Sequence, residues 1–242
     1  MRTIIKGEEP HDLLNWKRAN QATPQNLNYR GGDFPAEAVR KALLAEQLHL
    51  CAYTMKALKT AAQCEAQAQA QDASHACHIE HLLPQARKID AETIDFQNML
   101  ACFPPSRSEV ACDYGAQAKA SYDPATNAFV SPLSAAAEQH FKFYRDGTVE
   151  GLTPEGKVTV KVLRLDHAAL KHDRAAVIKG RLEPKPGKPL TAAAARRLAQ
   201  DIRQPDARRC LPAFCVAIAQ AALDHADREE RRTARLKKKA TP

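Results

Sequence analysis

His78-Ile79-Glu80-His81 places two imidazoles and a carboxylate within four residues. A cluster of this kind is costly to bury unless its members are paired, protonated or bound to a metal ion. If the stretch is extended, His78 and Glu80 share one face and His81 points to the other. That geometry separates two tasks. A carboxylate holds a divalent cation, while an imidazole that is neutral near pH 7 takes a proton from water. Phosphodiester hydrolysis needs both, a base for the attacking water and a cation beside the leaving oxygen. In a helix, His78 and His81 would instead form an i, i+3 pair suited to zinc, but the short run and Pro84 weigh against a helix.

More residues of the same kind follow in order. Cys51 stands ahead of the cluster; Asp95, Asn98, Cys102, Cys112 and Lys119 come after it. Lys119 is a candidate phosphate contact. His75, His140, His167 and His172 read as surface or satisfied core histidines. Cys210 and Cys215 read as packing residues, and Asp113 as a turn residue.

The elements that must position these groups are unevenly legible. Residues 1–35 read as an irregular arm around Trp16 and the Gly31-Gly32 turn. Val39, Leu43, Leu44 and Leu48 recur at helical spacing after Pro35, which predicts a helix to about residue 50. Residues 60–75 are rich in Ala and Gln and favour helix, yet they lack an apolar stripe and read as an exposed insertion. The Ala-rich stretch 113–120 predicts one or two helical turns. Phe141–Tyr144 alternates, Asp146-Gly147 is a turn signature and Thr148-Val149 resumes, so a hairpin is predicted. Lys157–Val162 alternates as well and suits either a strand or the start of a helix. Beyond the Pro/Gly/Lys linker 184–189, a helix capped by Thr191 should run to about Ile202. A last helix should run from Pro212 to about Leu236, with Phe214, Ile218, Ala221 and Leu223 as its apolar face.

Charge is distributed asymmetrically. Residues 1–160 carry 16 Lys and Arg against 19 Asp and Glu, whereas residues 161–242 carry 20 against 9, so the net +8 belongs to the last third. A localised basic surface attracts phosphates, although a solvated helix face has the same composition. Aromatic residues make up 5%, too few for a surface that stacks many single-stranded bases. No run approaches the roughly eighteen apolar residues of a membrane helix. The N-terminus is acidic early and lacks the apolar core of a secretory signal. Seven cysteines, an odd number clustered near histidines, suit a reducing cytoplasm and metal ligation better than a disulfide frame.

Taken together, these segments resemble the HNH (ββα-metal) endonucleases, and among them the PtuB-type nucleases of Septu and retron anti-phage defence systems. The resemblance is carried by Met1–Pro10, Leu14-Asn15-Trp16-Lys17, Leu43–Gln47 leading into Cys51-Ala52-Tyr53, and His78–Pro84. Ser131-Pro132-Leu133 and Phe141–Gly147 extend it over roughly residues 1–175. It implies an α+β fold, mostly helical, with an embedded ββα-metal motif and a C-terminal helical region. The corresponding units would be an arm at 1–35, a nuclease domain at 36–175 and a basic helical region at 190–242. His81 would be the general base and Glu80 the ligand of a divalent ion, magnesium or manganese, with His78 beside it. Asn98 would orient the base and steady its loop. Gln117 would be a further metal ligand, and Cys51, Cys102 and Cys112 would hold a structural zinc. The implied activity is metal-dependent cleavage of nucleic acid, DNA by default with RNA and tRNA open, alongside an ABC-type ATPase of the PtuA kind.

Two departures from the family pattern stand out. Thr54 occupies a position where a zinc-binding cysteine is usual, so a fourth donor would have to be Cys77, Cys64 or a histidine. Gln117 is the nearest match where the family often has His or Asn as a further metal ligand. Both departures motivate a second reading, an HNH fold with weakened catalysis that binds nucleic acid or a partner. A third reading is a helical adaptor whose His/Cys cluster only knots a structural zinc.

Overall fold

The protein is described by a computed structural model covering residues 1–60, 62–63, 66, 75–107 and 110–240. Most of the Ala/Gln-rich stretch, Cys64 included, lies outside the described residues. Within them the architecture is α+β, with eight helices and two small antiparallel sheets.

The first 35 residues are not an irregular arm. They contain helix α1 (His11–Ala19), which buries Leu13 and Trp16, and Met1 and Ile4 enter the same core. Trp16 sits edge-on to Phe34 with ring centroids 5.4 Å apart and donates its indole N–H to the Gly32 carbonyl at 2.9 Å. One aromatic anchor thereby orders a polar segment that shows no helical stripe.

Helix α2 (Ala36–Glu46) follows Pro35 as expected and buries Val39, Arg40, Leu43 and Leu44. Just beyond it, the buried Gln47 side chain donates to the Leu50 and Ala101 carbonyls and accepts from the Ala101 N–H, each at 2.8 Å. A side-chain amide thus mimics a neighbouring strand and fixes the central part of the first sheet. That sheet pairs β1 (His78–His81) antiparallel with β2 (Met99–Cys102), with His78 opposite Cys102 and His81 opposite Met99. The extended reading of 78–81 holds. His78 and Glu80 are half-buried on one face, and Ile79 and His81 are buried on the other. The connection between the strands includes the short helix α3 (Asp90–Thr93).

Helix α4 (Ala116–Lys119) is a single turn. Gly115 precedes it at φ 66°, in left-handed backbone that favours glycine. The predicted hairpin forms from β3 (Phe141–Phe143) and β4 (Val149–Gly151). At its turn Gly147 has φ 82°, and a Cβ there would lie 2.0 Å from the Lys171 carbonyl oxygen, so the close packing requires glycine. Residues 157–162 are helical. They belong to α5 (Pro154–Val162), whose start is set by Pro154 and by Thr153, whose hydroxyl accepts from the Gly156 N–H at 3.1 Å.

Helix α6 (Ala168–Leu182) packs behind the hairpin. The last two helices are α7 (Ala192–Asp201), capped by Thr191, and α8 (Cys215–Ala240). The phase of α8 differs slightly from expectation. Ile218 and Ala221 are buried, but Leu223 is 43% exposed, and His225 and Ala226 turn inward in its place. Arg196 of α7 clamps Asp227 and Glu230 of α8, both at 2.8 Å. The buried start of α8 shares one core with α1, α2 and both sheets, while residues 228–237 are mostly exposed. No helix among the described residues is long and apolar enough to cross a membrane.

Candidate active site

His81 closes β1 as a buried residue, 4% exposed, with both ring nitrogens engaged. Nε2 lies 2.8 Å from the Thr93 carbonyl. A carbonyl only accepts, so Nε2 carries the proton and Nδ1 is the lone-pair nitrogen. Nδ1 accepts from the Gln85 side-chain amide at 3.1 Å. Burial lowers the His81 pKa below the ordinary histidine value, against the pull of the Thr93 carbonyl and the Glu80 charge. The ring is therefore neutral near pH 7, with its lone-pair nitrogen held by the Gln85 amide. Tyr29 stands edge-on at 4.8 Å and fixes the ring plane.

Asn98 holds the loop that makes this arrangement possible. Its carbonyl oxygen accepts from the Leu83 N–H at 2.7 Å. Its amide donates to the Glu92 carbonyl at 2.9 Å and the Leu83 carbonyl at 3.1 Å. One buried side chain thus ties the exit of β1 to the end of α3, where Thr93 presents its carbonyl to His81. Arg87 clamps the same loop from outside through Glu92 and Asp123, each with a contact of 2.7 Å.

On the other face of β1, Glu80 divides its two oxygens. Oε1 is 3.0 Å from Lys119 Nζ, and Oε2 is 3.4 Å from His78 Nε2. The Lys119 side chain is 0% exposed, and its ammonium also donates to the His81 backbone carbonyl at 3.0 Å. Glu80 Oε1 has this charge contact but no well-directed hydrogen bond, and the buried Tyr53 hydroxyl also lacks a hydrogen-bond partner. Burial first, and the Glu80 charge second, push the Tyr53 pKa well above its ordinary value.

A cavity of about 430 Å³ opens over this group, lined by Tyr29, His78, Glu80, His81, Gln85 and Ser121, among others. A second cavity of about 380 Å³ shares Tyr29, Gln85 and Ala86 with it and continues to Arg30, Lys88 and Asp90. The two cavities adjoin at these shared residues, and Arg30 and Lys88 on the second are exposed cations.

Several sequence expectations land elsewhere. Gln117 is exposed and does not line the cavity. At 3.6 residues per turn, positions two apart face roughly opposite ways, and it is Lys119 that faces inward. Lys119 is consequently buried against Glu80 rather than displayed to a polyanion. Asp113 turns away to Arg164 at 2.5 Å and His167 at 3.1 Å. Gln85, Thr93 and Tyr29, which hold His81, carry no spacing signal that marks them in the sequence.

The cysteines divide in two. Cys51 and Cys102 are buried and hydrogen-bonded to each other. Burial pushes Cys51 upward, but hydrogen bonds from Cys102, Thr54 and the Phe103 N–H outweigh it and bring its pKa to about 6. Cys102 is held well above its ordinary value, first by burial and then by its bond to Cys51, so it keeps the proton it donates. Thr54 thus serves as a donor to Cys51 rather than as a fourth ligand. Cys112 is half-buried and donates to the Tyr114 carbonyl at 3.4 Å. Among the described residues, no group of three or more His, Cys, Asp or Glu is arranged to hold a metal ion.

Glu80 and His78 remain as two donors that line the cavity. Glu80 Oε2 and His78 Nε2, 3.4 Å apart on the cavity floor, have the separation of two ligands of one ion, which is roughly 3.0–3.4 Å. Protein supplies two donors there, and Lys119 lies 3.0 Å from the other Glu80 oxygen. No protein-family model matches this chain, and no curated protein matches it.

Proposed function

We propose that the protein is a metal-dependent phosphodiester hydrolase of the HNH kind, acting on nucleic acid, with His81 as general base. The observation that carries this reading is the placement of His81 in the lining of an open cavity, with Nε2–H fixed on the Thr93 carbonyl and Nδ1 held by the Gln85 amide, which lines the same cavity. A water that displaces the Gln85 amide loses its proton to Nδ1. The imidazolium that results is stabilised by the Thr93 carbonyl already aligned on Nε2–H, which needs no reorganisation. Asn98 positions this machinery without touching substrate.

Glu80 and His78 would hold a magnesium, manganese or similar ion. When bound, the ion would supply positive charge beside the scissile phosphate. The order of β1, β2 and α4 around Glu80, His81 and Asn98 accords with the resemblance in residues 1–175. That resemblance supports an ABC-type ATPase partner, a cytoplasmic setting and a role in anti-phage defence. DNA is the default substrate, with RNA and tRNA as the alternatives. Structural zinc is the less supported cofactor, because Cys112, the third cysteine of the implied set, bonds instead to the Tyr114 carbonyl. A second reading, a weakened HNH fold that binds nucleic acid or a partner, is favoured by the charge of Glu80 being matched by Lys119. Cleavage of plasmid and RNA with manganese, by wild type and His81→Ala, with and without the ATPase, separates the two. The hydrolase reading expects a loss of about 10²–10⁴-fold in the variant, and equal activity of both proteins would refute it.

A further inference from the structure

Past the point where Arg196 of α7 clamps it, α8 leaves the core. Residues 231–237 are exposed at every position, so the described residues cover no side of that stretch. From 228 to 239 the sequence holds Arg228, Arg231, Arg232, Arg235 and Lys237–Lys239 against Glu229 and Glu230. Successive residues of a helix turn by about 100°, which places Arg228, Arg231, Arg232 and Arg235 within one arc of roughly that width. Asp227, Glu229 and Glu230 fall outside the arc, and all three are already paired. Asp227 and Glu230 hold Arg196, and Glu229 lies 2.7 Å from Arg232. Arg228, Arg231 and Arg235 form no ion pair among the described residues. The helix dipole favours the lysines of the last turn, but its reach ends there. It gives no reason for four arginines to gather on one face farther back.

We propose that this arginine stripe is a docking surface for duplex DNA, gripping the phosphate backbone without regard to sequence. None of its residues lines the cavities beside β1, and the inference stands whether or not those cavities carry hydrolysis. Charge complementarity selects the partner. The four guanidiniums span about 11 Å of helix axis, and B-form DNA presents one negative charge per ~1.7 Å. Each guanidinium offers a planar fork of donors that matches phosphate oxygens. A helix about 10–12 Å across also fits the DNA major groove, which is about 12 Å wide. The major groove of an RNA duplex is deep and narrow and closed to side chains. An anionic membrane would require an apolar face opposite the stripe. That face carries Glu230, Thr233 and Lys237 instead, and Leu236 is the single large apolar residue beyond Ala226.

The test measures binding of the full chain to a short labelled DNA duplex by fluorescence anisotropy, with EDTA present and over a range of salt concentrations. Neutralising three or four phosphates should give a slope of log affinity against log salt of about −3 or steeper. A rearranged variant carries Arg231→Thr, Thr233→Arg, Ala234→Arg and Arg235→Ala, which keeps composition and net charge while moving two cations off the stripe. It should lose about two units of slope and bind roughly tenfold more weakly or worse. Arg231→Gln with Arg235→Gln should show the same loss, and Arg231→Lys with Arg235→Lys should keep the wild-type slope. All the substituted positions are exposed, so melting temperatures should match the wild type. Equal affinity and slope for the wild type and the rearranged variant would overturn the inference, because bulk charge alone would then explain binding. Tighter binding to duplex RNA of the same sequence, or to phosphatidylserine vesicles, would overturn the assignment to DNA. Hydrolysis of a small diester by these variants should stay at the wild-type rate, which keeps this outcome distinct from that of the hydrolase reading.

Discussion

Among the described residues, Arg174 and Lys119 are long cations buried almost completely, and they are buried for different purposes. Arg174 lies behind the β3–β4 hairpin, where Nε donates to the Gly147 carbonyl at 2.7 Å and a terminal nitrogen donates to the Leu165 carbonyl at 2.6 Å. Its guanidinium sits 5.8 Å from the Phe143 ring centroid. Burial lowers its pKa to about 10, so it remains a cation at neutral pH. Those hydrogen bonds go to backbone, and their effect is to lock a turn onto a helix. Lys119 gives one contact to backbone and the other to the Glu80 carboxylate, which also faces the groove. A buried cation that saturates carbonyls is a structural staple. One that pairs with a carboxylate lining an open cleft sets the charge of that cleft instead.

The sharpest way to break this comparison is to remove the staple. Arg174→Met leaves two buried carbonyls without donors, which should cost about 2–5 kcal/mol of stability in urea unfolding. Hydrolysis per folded molecule should stay at the wild-type level. A drop in rate with the fold intact would show that the two regions are coupled. Asn98→Ala should cost less, about 1–3 kcal/mol, but it should lower kcat with little change in KM. The loop it holds presents Thr93 to His81 rather than contacting substrate. Thermal melts together with steady-state kinetics would read both effects.

The smallest expected effect is on pH dependence. The His81 pKa in the folded protein lies below its ordinary value of 6.5, so the unfolded chain binds more protons once the pH falls under that value. The stability contribution of the neutral ring is therefore full above pH 6.5 and declines as the pH falls through the lower folded value. His81→Gln should flatten that part of the stability profile, and the acid limb of the wild-type rate profile should lie below 6.5 as well. An acid limb at or above that value would contradict the assigned state of the ring.

Which parts of this were legible in the sequence follows from how local the causes are. The extended form of His78–His81, the hairpin and the Thr191 cap rest on contacts within a few residues, and the pattern reveals them. Helix α1 was hidden because its order comes from Trp16 meeting Phe34 and Gly32, a tertiary event in a polar segment. Lys157–Val162 alternates like a strand, yet the cap at Thr153 commits it to α5. The inward phase of Lys119 over Gln117 could not be read, because a single helical turn has no stripe to define its face. Gln85 and Thr93 reach His81 through a loop whose path Asn98 determines, so neither was visible as a site residue.

The central claim is that the groove over β1 hydrolyses phosphodiesters with His81 as the base. Hydrolysis of bis(4-nitrophenyl) phosphate with manganese tests it most directly, since a small activated diester needs neither a recognition sequence nor an activating partner. The account predicts release of nitrophenol by wild type and a loss of about 10²–10⁴-fold in His81→Ala, with Gln117→Ala unaffected. Equal rates for wild type and His81→Ala, or no release by either, would contradict it.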